Sequence, residues 1–273
     1  MMNQPTKAMK LEEKNGVRYL SIPAFEQAGG VVCAFSTRIG GVSPKPFDTL
    51  NFSRKREKSP ENFAVNFRRF ADAVGFDADI SVGINYAHSG AVYHVTHEDA
   101  GKGIFGDSLP KICDGLYTDE PGLPILSFHA DCVPLFFYDP ERRAAAVCHA
   151  GWRGVAANMA ANTVEALASL GSKKENILAA IGPCISVKNF EVGAEVSDIF
   201  ERMFGSSVVR KSEGRLYVDL NKACLADMVS AGLAKSQVTD ASLCTFDNQE
   251  LFFSHRRDKG KTGAMAAVIM IKE

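Results

Sequence analysis

Three residues able to bind metal or act as nucleophiles lie in polar breaks between apolar segments. Cys132 lies in Ala130-Asp131-Cys132-Val133-Pro134, where an acid precedes it and a proline closely follows it. His149 ends the apolar run that begins at residue 144, and His88 lies between two strand-like runs. Histidines are scarce, with six in 273 residues. Two imidazoles and one thiolate make a three-ligand site with an open fourth position, as catalytic zinc requires.

The same three groups allow two kinds of chemistry, and the sequence alone leaves both open. A metal held by them lowers the pKa of a bound water to about 7 and so produces hydroxide at neutral pH. Without metal, Cys132 is a candidate nucleophile and either histidine a candidate base. A buried cysteine more often serves as a small apolar residue, and Cys148, inside an apolar run, fits that role.

Four further residues are candidates for substrate binding. Arg153 lies in the segment 149–154, where a predicted strand meets a predicted helix; the amino end of a helix favours anions, and a guanidinium offers several donors to phosphate or carboxylate. Arg38 follows an apolar strand and precedes a glycine pair, which predicts an anion or substrate loop that also includes Asn51. Asp114 lies at a predicted strand end and is expected to orient a ligand or a histidine.

The elements that must position these residues are short apolar strands and a few amphipathic helices, in irregular order. Ser59 as N-cap and Pro60 at the first helical position predict a helix at 60–74, and Asp139-Pro140-Glu141-Arg142 predicts a hairpin turn. This pattern indicates an α+β fold rather than regular βαβ winding. The predicted strands cover residues 17–22, 31–36, 80–86, 91–95, 124–129, 133–138, 144–149, 177–182 and 265–271, and the other predicted helices cover 153–170, 192–204 and 219–232.

Composition favours a cytoplasmic protein acting on a small molecule. Net charge is −1, with 31 basic and 32 acidic residues, whereas non-specific nucleic-acid binding usually needs a basic excess. Apolar runs are far shorter than the roughly 20 residues needed to span a bilayer. The polar N-terminus predicts no secretory signal, and seven scattered cysteines indicate reduced thiols. We expect one domain over residues 1–273, with a polar extension of about 15 residues at its start; the oligomeric state is left open.

A series of segments from about Phe35 to the C-terminus resembles the YfiH/YlmD-like family, whose members carry the labels laccase-domain or multicopper polyphenol oxidase protein, peptidoglycan editing factor and purine nucleoside phosphorylase. The resemblance implies a four-layer α/β/β/α sandwich with mixed sheets, similar to cysteine-hydrolase folds. It also implies that His88, Cys132 and His149 match the zinc-site positions of the family. The matching segments are FSTRIGGVSPKPFDTLNFS, AHSGAV, CDGLYT, ADCVPLFFYDP, VCHAGWRGVAANM, AAIGPCISVKNFEVG and NQELFFSHRRDKGKTG.

The activity implied by the resemblance is phosphate-dependent cleavage of adenosine, inosine and methylthioadenosine, together with adenosine deamination. Zn²⁺ is the implied cofactor, and copper could occupy the same donors. The chain departs from the family pattern at Tyr86, where a glutamine is usual, and at Ala264, where an arginine is usual. The first change affects pocket polarity, and the second removes a cation that could bind an anion.

The sequence leaves three other functions open. An amidase that edits a mis-incorporated amino acid in a UDP-MurNAc-type cell-wall precursor could use the same water-activating site. Six histidines without any His-x-His pair cannot build a multicopper centre, so a copper-dependent polyphenol oxidase would be at most a weak one-copper activity. A non-catalytic metal or nucleotide binding module is the third alternative.

Overall fold

Two six-stranded mixed sheets and one small antiparallel sheet form the framework of the computed structural model, which describes residues 8–57, 59–86 and 88–273. Sheet 1 contains, in spatial order, β1 (Lys10–Lys14), β2 (Val17–Ser21), β3 (Val31–Ser36), β15 (Met265–Ile271), β7 (Ile125–His129) and β4 (Val82–Gly83). Sheet 2 contains β14 (Val238–Asp240), β10 (Leu178–Ile181), β8 (Val133–Asp139), β9 (Ala144–Ala150), β6 (Gly115–Thr118) and β5 (Val92–His94). Sheet 3 contains β11 (Glu191–Val192), β13 (Arg215–Val218) and β12 (Val209–Ser212).

Most neighbouring strands run antiparallel, and a few parallel pairs make both large sheets mixed. In sheet 1, β4 runs parallel to β7; in sheet 2, β14 is parallel to β10 and β5 to β6. The predicted hairpin at Asp139 is confirmed: β8 and β9 pair antiparallel, and the Asp139 carboxylate accepts hydrogen bonds from the backbone N–H groups of Glu141 and Arg142. Mixed sheets with separate helices confirm the α+β class.

Strand alternation explains why the central strands are apolar on both faces. Successive residues of a strand point to opposite faces. In β8, Phe136 packs in a buried cluster that joins the two large sheets, whereas Phe137 packs in a second cluster with the helices that follow sheet 2. In β15, Ala267 joins the intersheet cluster and Val268 packs with the phenylalanines of residues 60–74. Both faces of each strand are therefore buried.

Within the described part of the chain, six α-helices accompany the sheets: α1 (Pro23–Ala28), α2 (Pro60–Val74), α3 (Trp152–Ala156), α4 (Met159–Ser169), α5 (Ala194–Phe204) and α6 (Leu220–Ser230). The prediction for α2 is confirmed, because Ser59 Oγ accepts a hydrogen bond from Asn62 N and Pro60 is the first helical residue. The prediction of one helix over 153–170 is wrong. Asn158 adopts a left-handed conformation (φ 56°), and the N–H groups of Ala160 and Ala161 donate to Asp227 of α6 at the start of a new helix.

The start of the chain differs from the predicted polar extension. Residues Lys10–Lys14 form an edge strand that pairs with β2, while the first seven residues, and Ala87 of the AHSGAV segment, lie outside the described residues. Sheet 3 and β14 were not predicted, because their strands are only two to four residues long and therefore contain no extended apolar run. Over the described ranges, the helices are too short or too polar to cross a lipid bilayer.

Candidate active site

His88, Cys132 and His149 meet at one point, with their ligand atoms all within 4.8 Å of one another. The hairpin of β8 and β9 explains why Cys132 and His149 lie close together. Pro134 pairs with His149 and Val133 with Ala150, so Cys132, just before β8, lies opposite the end of β9. His88 comes from the segment after β4 and adopts a left-handed conformation with φ 57°. One hairpin and a segment that precedes it in the chain thus place two imidazoles and a sulfur together.

The buried Asp114 carboxylate holds both histidines in place. Its Oδ1 lies 3.2 Å from His149 Nδ1 and accepts a hydrogen bond from the backbone N–H of His88 at 3.0 Å. Its Oδ2 accepts from the N–H and the hydroxyl of Ser89. Burial alone would raise the pKa of Asp114, but the hydrogen bonds from His149 and Ser89 lower it below its usual range. Since Nδ1 of His149 faces Asp114, Nε2 is left to face the site, as in many metal centres.

The two histidines have opposite protonation tendencies. Burial opposes a charge on His149, yet attraction to Cys132 and hydrogen bonds to Asp114 and Cys132 raise its pKa to about 9. Burial and the nearby charge of His149 lower the pKa of His88. A neutral His88 is ready to act as a ligand or base, whereas a proton must leave His149 before its Nε2 can bind a metal.

A third histidine, His129, supports the Cys132 backbone. Its Nδ1–H donates to the Cys132 carbonyl oxygen at 3.2 Å, and its Nε2 accepts from Ser127 Oγ at 2.8 Å. Burial lowers its pKa well below the usual value, so the ring is neutral and this tautomer satisfies both nitrogens. The ring centroid lies 5.3 Å from that of His149. His129 therefore fixes the turn that carries Cys132.

Gly151 leaves the space between the three ligands open. A Cβ at this position would lie 3.2 Å from Cys132 Sγ, 3.2 Å from His88 Nδ1 and 3.8 Å from His149 Cε1. Any side chain would therefore enter the space that the donor atoms surround. Two imidazoles and a thiolate around such a space fit a divalent transition metal with one position left for water.

The three residues line a cavity of about 490 Å³, a volume within the range of small-molecule sites. Four side chains of its wall carry positive charge: Lys55, Arg56, Arg153 and Arg256. Arg153 lies over the ring of Trp152 at 4.2 Å, and Arg56 Nη1 donates to the carbonyl oxygen of Thr262. The cavity therefore combines a donor cluster with groups that attract anions.

Aromatic rings form another part of the wall, contributed by Tyr86, Phe128, Trp152 and Phe190. The Tyr86 ring stacks on that of His149, with centroids 5.1 Å apart and an interplanar angle of 26°. Tyr86 is 42% exposed and so presents aromatic surface at the cavity. A flat heteroaromatic ligand is the natural partner of such surfaces.

Of the four predicted substrate-binding residues, one lines the cavity, one lies behind a cavity residue and two lie outside the cavity wall. Arg153 lines the cavity, and Asp114 lies behind His149. Arg38 lies outside the cavity wall, where its guanidinium donates to the Asp48 and Gln249 carbonyl oxygens. Asn51 is also outside the wall and fully buried, with Oδ1 accepting from the N–H groups of residues 53 and 264. Both therefore support loops rather than face the cavity.

The positive charge expected at residues 149–154 comes from side chains rather than from the amino end of a helix. Helix α3 spans five residues, so the dipole of a long helix is not available at Arg153. The cavity charge comes from side chains, and sequence reasoning missed Arg56, His255 and Arg256, which line the wall. The basic segment SHRRDKGK was the available signal for two of them.

Comparison with known proteins supports a family assignment. Residues 32–272 match the family model described as multi-copper polyphenol oxidoreductase laccase. The chain is 35% identical over 249 residues to purine nucleoside phosphorylase YlmD of Bacillus subtilis, a match covering 89% of each chain. It is 33% identical to purine nucleoside phosphorylase YfiH of Escherichia coli, over 92% of this chain and 98% of that one.

Solved structures agree with this assignment. The structure of the hypothetical protein YfiH of Bacillus licheniformis matches with a TM-score of 0.90 at 32% identity, covering 98% of this chain and 100% of that chain. YlmD of Geobacillus stearothermophilus matches with the same TM-score, identity and coverage. The chain belongs to the YfiH/YlmD family.

Proposed function

We propose that the protein is a purine nucleoside phosphorylase that acts on adenosine, inosine and methylthioadenosine, and that it also deaminates adenosine at the same site. The observation that carries this proposal is the cluster of His88, Cys132 and His149 in a cavity with a cationic and aromatic wall. The names of the YlmD and YfiH relatives support the phosphorylase activity.

Phosphorolysis assigns a role to each part of the cavity wall. A phosphate oxygen forms a bond to C1′ of the ribose while the C1′–N9 bond breaks. The electron pair of the C1′–N9 bond leaves with the purine, which takes up a proton. Arg56, Arg153 and Arg256 would hold the phosphate, because guanidinium groups match phosphate oxygens. The rings of Tyr86 and Trp152 would hold the base. Fixing both reactants in one orientation supplies a large part of the rate enhancement.

The donor set fits Zn²⁺, and copper suits the same ligands. His88 Nδ1 or Nε2, Cys132 Sγ and His149 Nε2 would hold the metal, with Asp114 orienting both histidines. When bound, a zinc ion supplies Lewis acidity and activates water, which is the chemistry that exchange of the 6-amino group of adenosine for oxygen requires.

A second candidate is hydrolysis of an amide in a cell-wall precursor that carries a wrong amino acid. The raised pKa of His149 beside Cys132 favours it, because a cysteine and a histidine that can exchange a proton form the catalytic pair of many cysteine hydrolases. This reaction consumes water rather than phosphate. Phosphate dependence therefore separates the two candidates.

Product analysis with and without phosphate tests the proposal. Metal content is measured first, and the protein is then incubated with adenosine. Phosphorolysis gives adenine and ribose 1-phosphate only when phosphate is present, whereas deamination releases ammonia in both cases. The inosine that deamination forms should accumulate without phosphate and be cleaved to hypoxanthine and ribose 1-phosphate when phosphate is present. Cys132→Ala should abolish both reactions, while the control Cys33→Ala, on β3 of sheet 1, should retain them. Full activity of Cys132→Ala in either reaction would remove Cys132 from that mechanism.

The same proposal includes the finer features implied by the family. We infer a single domain with a four-layer α/β/β/α arrangement, related to cysteine-hydrolase folds. Three buried clusters support it: one joins the two large sheets, one packs α2 on sheet 1 and one packs α4 to α6 on sheet 2. We also propose a cytoplasmic enzyme whose partners are a purine nucleoside and phosphate, without nucleic acid or membrane; a net charge of −1 supports this.

A further inference from the structure

Asp131 connects Cys132 to a distant loop of the cavity wall. Its carboxylate is buried, and Oδ2 accepts hydrogen bonds from the backbone N–H of Arg256 at 2.7 Å and from Ser254 Oγ at 3.0 Å. Oδ1 accepts from Thr245 Oγ1 at 2.5 Å. One side chain, adjacent in sequence to the sulfur, thus joins two segments more than a hundred residues away.

The backbone of Asp131 is held independently of its side chain. Asp131 adopts φ 89°, a conformation that few residues other than glycine adopt without strain. Its carbonyl oxygen accepts a hydrogen bond from Ile185 N, and the next carbonyl, that of Cys132, accepts from His129. The turn therefore keeps its geometry through backbone contacts, and the carboxylate is available to organise residues 254–256.

The Asp131 carboxylate fixes the backbone position from which the His255 and Arg256 side chains extend into the cavity wall. The N–H of Arg256 donates directly to Asp131, so the arginine backbone is fixed relative to Cys132. The guanidinium of Arg256 reaches the carbonyl oxygen of Glu191 and lies 5.3 Å from the ring centre of Phe190, while His255 also lines the cavity. A shift at this N–H would therefore change the position of both side chains in the cavity wall.

We propose that Asp131 is a positioning residue for phosphate recognition, which fixes Arg256 and His255 at a set distance from Cys132 so that an oxyanion bound by them lies beside the His88–Cys132–His149 cluster. This inference rests on the proposed function for the identity of the oxyanion as phosphate. The role is distinct from metal binding, because backbone contacts of residues 131 and 132 hold the Cys132 turn.

The test uses Asp131→Gly, which removes the carboxylate and tolerates the positive φ. We expect the Kd for inorganic phosphate, measured by calorimetry on the metal-loaded protein, and the KM for phosphate to rise about 10-fold, as for the loss of one hydrogen bond. Metal content and the KM for nucleoside should stay unchanged. Asp131→Asn should restore phosphate affinity, since its amide oxygen can accept from Arg256 N and its amide N–H can donate to Thr245.

Glu213→Gly is the matched control, because Glu213 is an exposed residue with positive φ in the turn between β12 and β13. If Asp131→Gly fails to fold, Ser254→Ala removes one contact to Oδ2 and should raise the phosphate Kd by a smaller factor. An unchanged phosphate Kd in a folded Asp131→Gly variant overturns the inference, as does wild-type protein that binds no phosphate. Phosphate binding that weakens in Asp131→Gly, without nucleoside cleavage by the wild type, supports the inference and rejects phosphorolysis.

Discussion

One carboxylate oxygen, Asp114 Oδ1, lies 3.2 Å from Nδ1 of His149 and accepts the backbone N–H of His88 at 3.0 Å. Both histidines of the site are therefore positioned by the same buried atom. The side chain of one and the backbone of the other are fixed from behind, on the side away from Cys132. The precision of the donor cluster depends on Asp114, although Asp114 itself does not line the cavity.

Asp114→Asn should lower the affinity for Zn²⁺ about 10- to 100-fold, the usual cost of losing a carboxylate behind a ligating histidine. The neutral amide no longer stabilises the His149 ring or fixes its tautomer as well as the carboxylate does. Competition with a metal-chelating dye measures the change. Asp99→Asn, at another buried aspartate outside the cavity wall, is the control. Equal zinc affinity in Asp114→Asn and wild type would contradict the role of Asp114.

Gly151→Ala should prevent metal binding while leaving the fold intact. The new Cβ would lie 3.2 Å from both Cys132 Sγ and His88 Nδ1, inside the space that the ligands surround. Metal content after dialysis and the melting temperature provide the two readouts. Gly193→Ala, at a glycine with no atom within 4 Å of the added Cβ, should keep its metal. A Gly151→Ala protein with a full complement of metal would show that the metal lies elsewhere.

Metal affinity should rise with pH up to about 9. The pKa of His149 is raised to about 9 in the metal-free protein, so below that pH its imidazole is mainly protonated and metal must displace the proton. Each proton displaced makes the apparent affinity rise about 10-fold per pH unit, and this dependence ends above the pKa. Dye competition between pH 6 and pH 10 measures the curve. A flat curve over this range would mean that His149 is already neutral.

Tyr86→Ala should raise the KM for purine nucleosides about 3- to 10-fold, because the loss of one aromatic contact usually weakens binding by about that factor. Tyr86 stacks on His149 and presents exposed aromatic surface to the cavity. Tyr86→Phe keeps the ring and should behave like the wild type, which separates stacking from the phenolic hydroxyl. Initial rates with inosine at saturating phosphate give the KM. If Tyr86→Ala leaves the KM unchanged, the base binds away from this ring.

Apolar patterning predicted most of the framework correctly. The run at 265–271 forms β15 with the predicted bounds, and Asp139 makes the predicted turn between β8 and β9. Both features depend on residues close in sequence. The donor cluster was also anticipated, because the residue types and their settings indicated His88, Cys132 and His149 as one set. The hairpin of β8 and β9 explains why Cys132 and His149 lie close together.

The missed features depend on contacts between distant segments. Asn158 breaks the predicted helix where Asp227, from α6, binds the N–H groups that start α4, and no local pattern indicates that contact. Arg38 was predicted at the cavity, yet the Asp48 and Gln249 carbonyls engage its guanidinium. Arg56 lines the wall instead, as does Ala264.

Absorption spectroscopy of the protein loaded with Co²⁺ tests most directly whether His88, Cys132 and His149 hold one metal. We expect one equivalent of Co²⁺ in a four-coordinate site, with intense visible bands and a sulfur-to-cobalt charge-transfer band. The charge-transfer band should vanish in Cys132→Ala and persist in Cys148→Ala, whose sulfur is buried against Thr163. A charge-transfer band that survives in Cys132→Ala, or its absence from wild-type protein with bound cobalt, would contradict the account.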